Sequence, residues 1–131
     1  MSLLSLEEAG VIAIGGAIGS VSRFGLSSLV QKLFPYPDLP WGIIFCNVLG
    51  SFLIGVLFRL FEAHYIVNPL WRTGLVIGLL GGFTTFSSFS LDSIYLLQTG
   101  AYFAAMSNIV ISVIGCLMAT LFGIWCVTVF V

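Results

Sequence analysis

The sequence predicts an all-α integral membrane protein with four transmembrane helices, the third broken near its middle. Three observations carry that prediction. The first is composition: of 131 residues, 60% are hydrophobic and 7% charged, and the mean hydropathy is +1.19. A water-soluble domain of this length cannot bury so much apolar surface, so lipid is its solvent. The second is a set of four apolar runs, each long enough for the roughly 20 residues that a bilayer core demands. The third is the stretch "GGFTTFSSFS", Gly81 to Ser90, inside the third run. It replaces aliphatic side chains with two glycines, five hydroxyl residues and three phenylalanines.

The first run spans 9–33 and ends at "KLFPYPDLP", where Pro35, Pro37 and Pro40 forbid a continuing helix. The second spans 41–61 and gives way to the polar loop "EAHYIVNP". The third spans 70–97, and Gln98, Thr99 and Gly100 make a short turn before the fourth, 101–131. The four runs form one transmembrane domain, 1–131. Tyr36, Trp41, Tyr65, Trp71 and Tyr102 fall near the predicted ends, as an aromatic belt does. Each run also carries small residues at close-packing spacing: Gly15 and Gly19, Ser51 and Gly55, Gly74 and Gly78, then Gly115, Ala119 and Gly123. The opening "MSLLSLEEAG" has two glutamates and no Lys or Arg, so it does not read as a cleaved secretory signal.

Composition narrows function. A net charge of −1 without a basic run gives no footing for nucleic acid. Cys46, Cys116 and Cys126 lie in apolar segments without a CxxC and read as small buried hydrophobes, and the single histidine, His64, falls in a loop. Enzyme chemistry has almost no raw material, and none is expected. Positive charge is nearly balanced across the membrane. The side holding the N-terminus, second loop and C-terminus has Arg59 and Arg72; the other has Lys32, joined by Arg23 if that side chain snorkels outward, so the count is two against one or two. Insertion both ways up is one reading of that balance, and a weak signal from a short chain is the other.

Polar residues inside the runs are costly in lipid and mark candidate sites. They are Arg23 in "SVSRFG", Asn47 in "FCNVLGSF" and Asp92 in "FSLDSIY". Arg23 and Asp92 have snorkelling to the interface as their alternative, and Asn47 an interhelical hydrogen bond that serves packing alone. Asn108, Ser112, Cys116 and Thr120 recur every four residues on one face of the last run, as a pathway lining or polar seam. In the third run the glycine pair weakens the helix, and neighbouring hydroxyls can satisfy freed backbone groups. Carbonyls, amides, hydroxyls and the positive edges of phenyl rings together suit a small ion. The residue types leave its sign open.

"GGFTTFSSFS", with "WGIIFCNVLGSFLIG" and "GGAIGSVSRFG" before it, resembles the Fluc (CrcB) family of fluoride channels across all four runs. The resemblance implies an antiparallel, dual-topology homodimer with two fluoride pores along its interface. Phe86 and Phe89 match the family's ring pair, Asn47 its pore asparagine, and Thr85, Ser87, Ser88 and Ser90 its hydroxyls. Ser112 and Thr120 complete the pore set, and Arg23 is a charge at its vestibule. A structural Na+ at the dimer centre is implied, held by the backbone carbonyls of Gly81 and Thr84. The implied role is passive efflux of fluoride across a prokaryotic plasma membrane, the inner membrane in a Gram-negative cell. HF leaks in, dissociates, and the anion leaves through the pore. The chain departs from the family pattern at Ser88 (more often Thr), Asp92 (Glu), Ile43 (often Thr) and Cys116 (Ser). A small dual-topology drug/proton transporter is the alternative. It needs a carboxylate inside the first helix, and 9–33 holds none.

Overall fold

The computed structural model describes residues 3–35 and 39–131. Tyr36 and Pro37, named above for the belt and the first loop, lie outside the described residues. The described residues are mostly helical, and among them four segments are long and apolar enough to cross a membrane: Leu6–Leu33, Trp41–Glu62, Pro69–Gln98 and Tyr102–Phe130.

Helix α1, Leu6–Leu33, begins three residues before the apolar run because Ser5 and Glu8 form a reciprocal cap. The Ser5 hydroxyl accepts from Glu8 N–H at 3.1 Å, and the Glu8 carboxylate accepts from Ser5 N–H at 2.9 Å. Glu7 and Glu8 thus belong to the first turn of α1, where the helix dipole favours acids. Helix α2, Trp41–Glu62, ends at Ala63. His64 beyond it is left-handed, with φ 60°, and Tyr65 N–H reaches back to the Leu60 carbonyl at 3.1 Å.

The third crossing is a composite. Helix α3, Pro69–Arg72, is capped by the Asn68 side chain and runs into a π-helical stretch, Thr73–Leu80. Then come a single turn, α4, Gly81–Phe83, two extended residues, Thr84 and Thr85, and helix α5, Phe86–Gln98. The chain turns at Gly100, whose φ of 82° suits glycine, into α6, Tyr102–Phe130. Arg59 donates to the Thr128 hydroxyl at 3.2 Å and the Tyr65 hydroxyl to the Val131 carbonyl at 3.5 Å. The second loop and the C-terminus therefore share one side.

Two backbone seams organise the helices. Along α1, a Cβ at Gly15 would lie 2.6 Å from the Gly74 carbonyl, and one at Gly19 would collide with the Leu79 carbonyl. Between α2 and α6, a Cβ at Gly55 would collide with Thr120 O, and one at Gly123 with Phe52 O. Without a hydrophobic drive between helices in lipid, such close approach supplies the packing. Gly55→Ala and Gly123→Ala are each expected to destabilise the fold by about 2 kcal/mol, because main chain must move to admit the methyl. Gly25, with nothing within 4 Å of its Cβ position, is the control. Gly25→Ala should be neutral or stabilising by roughly 0.5 kcal/mol. Thermal unfolding in detergent checks the set, and equal losses at all three positions would refute the seams.

Candidate functional site

The extended pair Thr84–Thr85 sits at the centre of the site, and its geometry follows from hydrogen bonds that replace helical ones. Asn47, on α2, holds the Thr85 backbone at two points. Its Oδ1 accepts Thr85 N–H at 2.7 Å, and its Nδ2 donates to the Thr85 carbonyl at 3.0 Å. Both groups are buried. In an unbroken helix that N–H would bond to the Gly81 carbonyl, four residues back. The Thr85 hydroxyl caps α5 by accepting Ser88 N–H at 3.1 Å, an amide that in a continuous helix belongs to the Thr84 carbonyl. The Gly81 and Thr84 carbonyls thereby both lose their α-helical partners. The Thr84 hydroxyl bonds back to the Leu80 carbonyl at 2.9 Å, completing the turn before the interruption.

The extended residues lie three positions after the glycine pair that the sequence singled out. Gly81 and Gly82 stay helical, and Gly82 serves approach instead: a Cβ there would lie 2.7 Å from the Gly16 carbonyl on α1.

A cavity of about 410 Å³ opens beside the pair. Seven of the residues assigned to the pore or the sodium site line it: Asn47, Gly81, Thr84, Thr85, Phe86, Phe89 and Ser112. Cys116 lines it as well. The Phe86 and Phe89 rings lie 5.2 Å apart, tilted by 54°. Phe89 is 9% exposed, whereas Phe86 is 77% exposed and projects from the chain. Phe83 does not line the cavity; it is buried, and a Cβ at Gly50 would lie 3.4 Å from its ring.

The other candidates are placed differently. The Ser87 and Ser88 hydroxyls stand 3.1 and 3.2 Å from Thr85 Oγ1, one step back from the cavity. Ser90 is exposed on α5. Thr120 lies outside the cavity; its hydroxyl shares its hydrogen between the Ser51 carbonyl at 3.0 Å and the Cys116 carbonyl at 3.1 Å, joining α6 to α2. Arg23 is half-buried on α1, also outside this cavity, with its carbonyl 3.8 Å from the Cys46 thiol.

Ser93 belongs to the site, and the sequence reading passed over it. Its hydroxyl donates to the Phe89 carbonyl at 2.8 Å and accepts from Asn108 Nδ2 at 2.9 Å; Ser112 then donates to Asn108 Oδ1 at 3.3 Å. This buried chain fixes the α5 turn that carries Phe89 against the polar face of α6. The available signal was spacing, since Ser93 follows Phe89 by one helical turn.

A second, polar cavity of about 610 Å³ lies where α1, α2 and α5 meet, lined by Gln31, Lys32, Ile43 and Asp92 among others. Gln31 accepts Gly42 N–H at 3.1 Å and donates to the Leu39 carbonyl at 3.2 Å, which fixes the entry to α2. Two of the departures noted above, Ile43 and Asp92, thus face the same space.

Known proteins are similar to this chain over most of its length. The profile of the family described as CrcB-like protein, Camphor Resistance (CrcB), matches residues 10–124. A protein of Parabacteroides distasonis is 47% identical over 115 residues, which cover 87% of this chain and 88% of the relative. One of Opitutus terrae is 46% identical over 114 residues, 86% of each chain. One of Leptospira interrogans is 40% identical over 115 residues, 88% of this chain and 90% of the relative. All three relatives are named fluoride-specific ion channel FluC. The family match takes in every residue around the cavity, so the chain belongs to the CrcB-like family.

Proposed function

We propose that this multi-pass membrane protein is a fluoride-selective channel, not an enzyme, and that it lets fluoride leave the cytoplasm passively. The observation that carries the reading is the cavity lined by Asn47, Thr85, Phe86 and Phe89, in a chain whose relatives are named for fluoride conduction. A small anion gives up its hydration at high cost and needs close donors in return. The Asn47 amide keeps one N–H beyond the one committed to Thr85. Hydroxyls and the positive edges of the phenyl rings add partial charges. None of these is a full positive charge, which would hold the ion rather than pass it.

The working unit in this reading is an antiparallel homodimer with two pores, in a prokaryotic plasma membrane. The exposure of Phe86 supports it, because a ring left bare by one copy is a ring that a second copy can cover. The balanced positive charge supports dual insertion. The remaining pore assignments, Ser87, Ser88, Ser90, Ser112 and Thr120, and a vestibule role for Arg23, belong to the same reading.

A sodium ion at the dimer centre fits the donor set. Carbonyl oxygens are hard ligands for a hard cation, and the Gly81 and Thr84 carbonyls have each given up an α-helical partner. Bound there, sodium supplies fixed positive charge between two chains, and its role is structural.

Fluoride efflux from proteoliposomes tests the channel. A fast leak that discriminates strongly against chloride and needs no proton gradient is expected. Flux coupled to protons and to a hydrophobic cation would favour a drug/proton transporter instead. Absence of any fluoride leak from correctly assembled protein would overturn the channel reading.

A further inference from the structure

The two carbonyls of the sodium reading are freed by two different side chains, and both side chains border the cavity. Asn47 removes Thr85 N–H from Gly81, and the Thr85 hydroxyl removes Ser88 N–H from Thr84. A main-chain amide without a partner at membrane depth is costly, so loss of either side chain drives the amide to the nearest acceptor. That acceptor is the carbonyl one helical turn back, Gly81 for Thr85 N–H and Thr84 for Ser88 N–H. A carbonyl drawn into a helical bond aligns with the helix axis and offers less to a cation beside the helix.

We propose that Asn47 and the Thr85 hydroxyl are positioning residues for the central cation, holding the Gly81 and Thr84 carbonyls free while touching the ion nowhere themselves. The proposal rests on the sodium reading given above. It makes the cation site and the pore cavity share parts. Asn47 lines the cavity with one face of its amide and sets the main chain with the other.

The test uses the full-length protein in detergent, without fluoride. Thermal unfolding is followed as sodium chloride replaces N-methylglucamine chloride at constant ionic strength. Wild-type protein should gain stability saturably with sodium. Asn47→Ala and Thr85→Val should each need about tenfold more sodium for the same gain, the loss expected when one charge-assisted ligand is withdrawn. Thr85→Ser keeps the hydroxyl and should titrate as wild type does. A merely structural contact would lower the melting temperature of Asn47→Ala and Thr85→Val without moving the sodium midpoint. If the wild type responds to sodium and both variants show its midpoint, the positioning role is wrong while the sodium reading stands. If the wild type shows no response, the sodium reading fails and takes this proposal with it. Should Asn47→Ala not assemble, the Thr85 pair decides alone.

Discussion

Phe86→Ile, and separately Phe89→Ile, is expected to lower fluoride flux by about tenfold or more, with the elution volume on size-exclusion chromatography unchanged from wild type. Isoleucine keeps much of the bulk and removes the ring quadrupole. An edge-on ring is worth roughly 1 kcal/mol to a partner of suitable charge, and about 1.4 kcal/mol lost at the barrier is tenfold in rate. The two rings lie 5.2 Å apart, close enough to act on one ion in turn, so neither replaces the other. Phe83→Ile should leave flux nearer wild type. Phe83 faces Gly50 and does not line the cavity, so its loss is one of packing. Proteoliposome efflux measures all three. Wild-type flux in both the Phe86 and the Phe89 variants would reduce the rings to spacers and leave the hydroxyls to carry the ion.

The second large effect is one of orientation. Adding about three lysines to the loop between Glu62 and Asn68 should drive every chain to insert one way up. If function requires antiparallel partners, that variant alone loses activity almost completely. A partner biased the other way, with lysines near Tyr36, should restore it on co-expression while remaining inactive by itself. The existing charges on the loop side are outward and lightly held. Arg59 pairs with Glu62 at 3.4 Å on the exposed surface, and Arg72 lies 5.6 Å from the Phe61 ring centre. Added lysines therefore meet no buried partner that would blunt their effect. Full activity from a singly oriented population would exclude the antiparallel dimer.

The four crossings were legible because lipid imposes length and apolarity on any helix within it, and the small-residue pairs because backbone approach demands them. Gly15, Gly19, Gly55 and Gly123 all stand where main chain meets main chain. The exact place of the extended residues was harder to read. Glycine weakens a helix in isolation, yet Gly81 and Gly82 remain helical, with Gly82 pressed against the α1 main chain at Gly16. The helical bonds change partners at Thr85, where a side chain from α2, thirty-eight positions away in sequence, takes the amide. No local pattern reveals that. Asn47 was singled out as a polar group in lipid with an interhelical hydrogen bond as its alternative; it makes such bonds to the Thr85 backbone and also lines the cavity. Thr120 shared the spacing of Ser112 but not its surroundings, since α6 leaves the cavity and enters the α2 seam between the two. Ser93 was passed over because an isolated serine in a helix commonly bonds to its own helix. Its hydroxyl does so here and also receives Asn108.

The seam between α2 and α6 bears on tolerance in the engineering sense. Gly55 meets the Thr120 carbonyl and Gly123 the Phe52 carbonyl, so at these two points the gap between the helices is set by peptide groups. Asn47 and Ser112 stand on those same two helices, and both line the cavity. A side-chain spacer changes rotamer and lets a wall give way by an ångström; abutting main chain does not. A wall built in this way keeps a fixed distance from its neighbour. Parting these two helices means moving whole segments of main chain, and the cost of that movement grows with each turn of the seam.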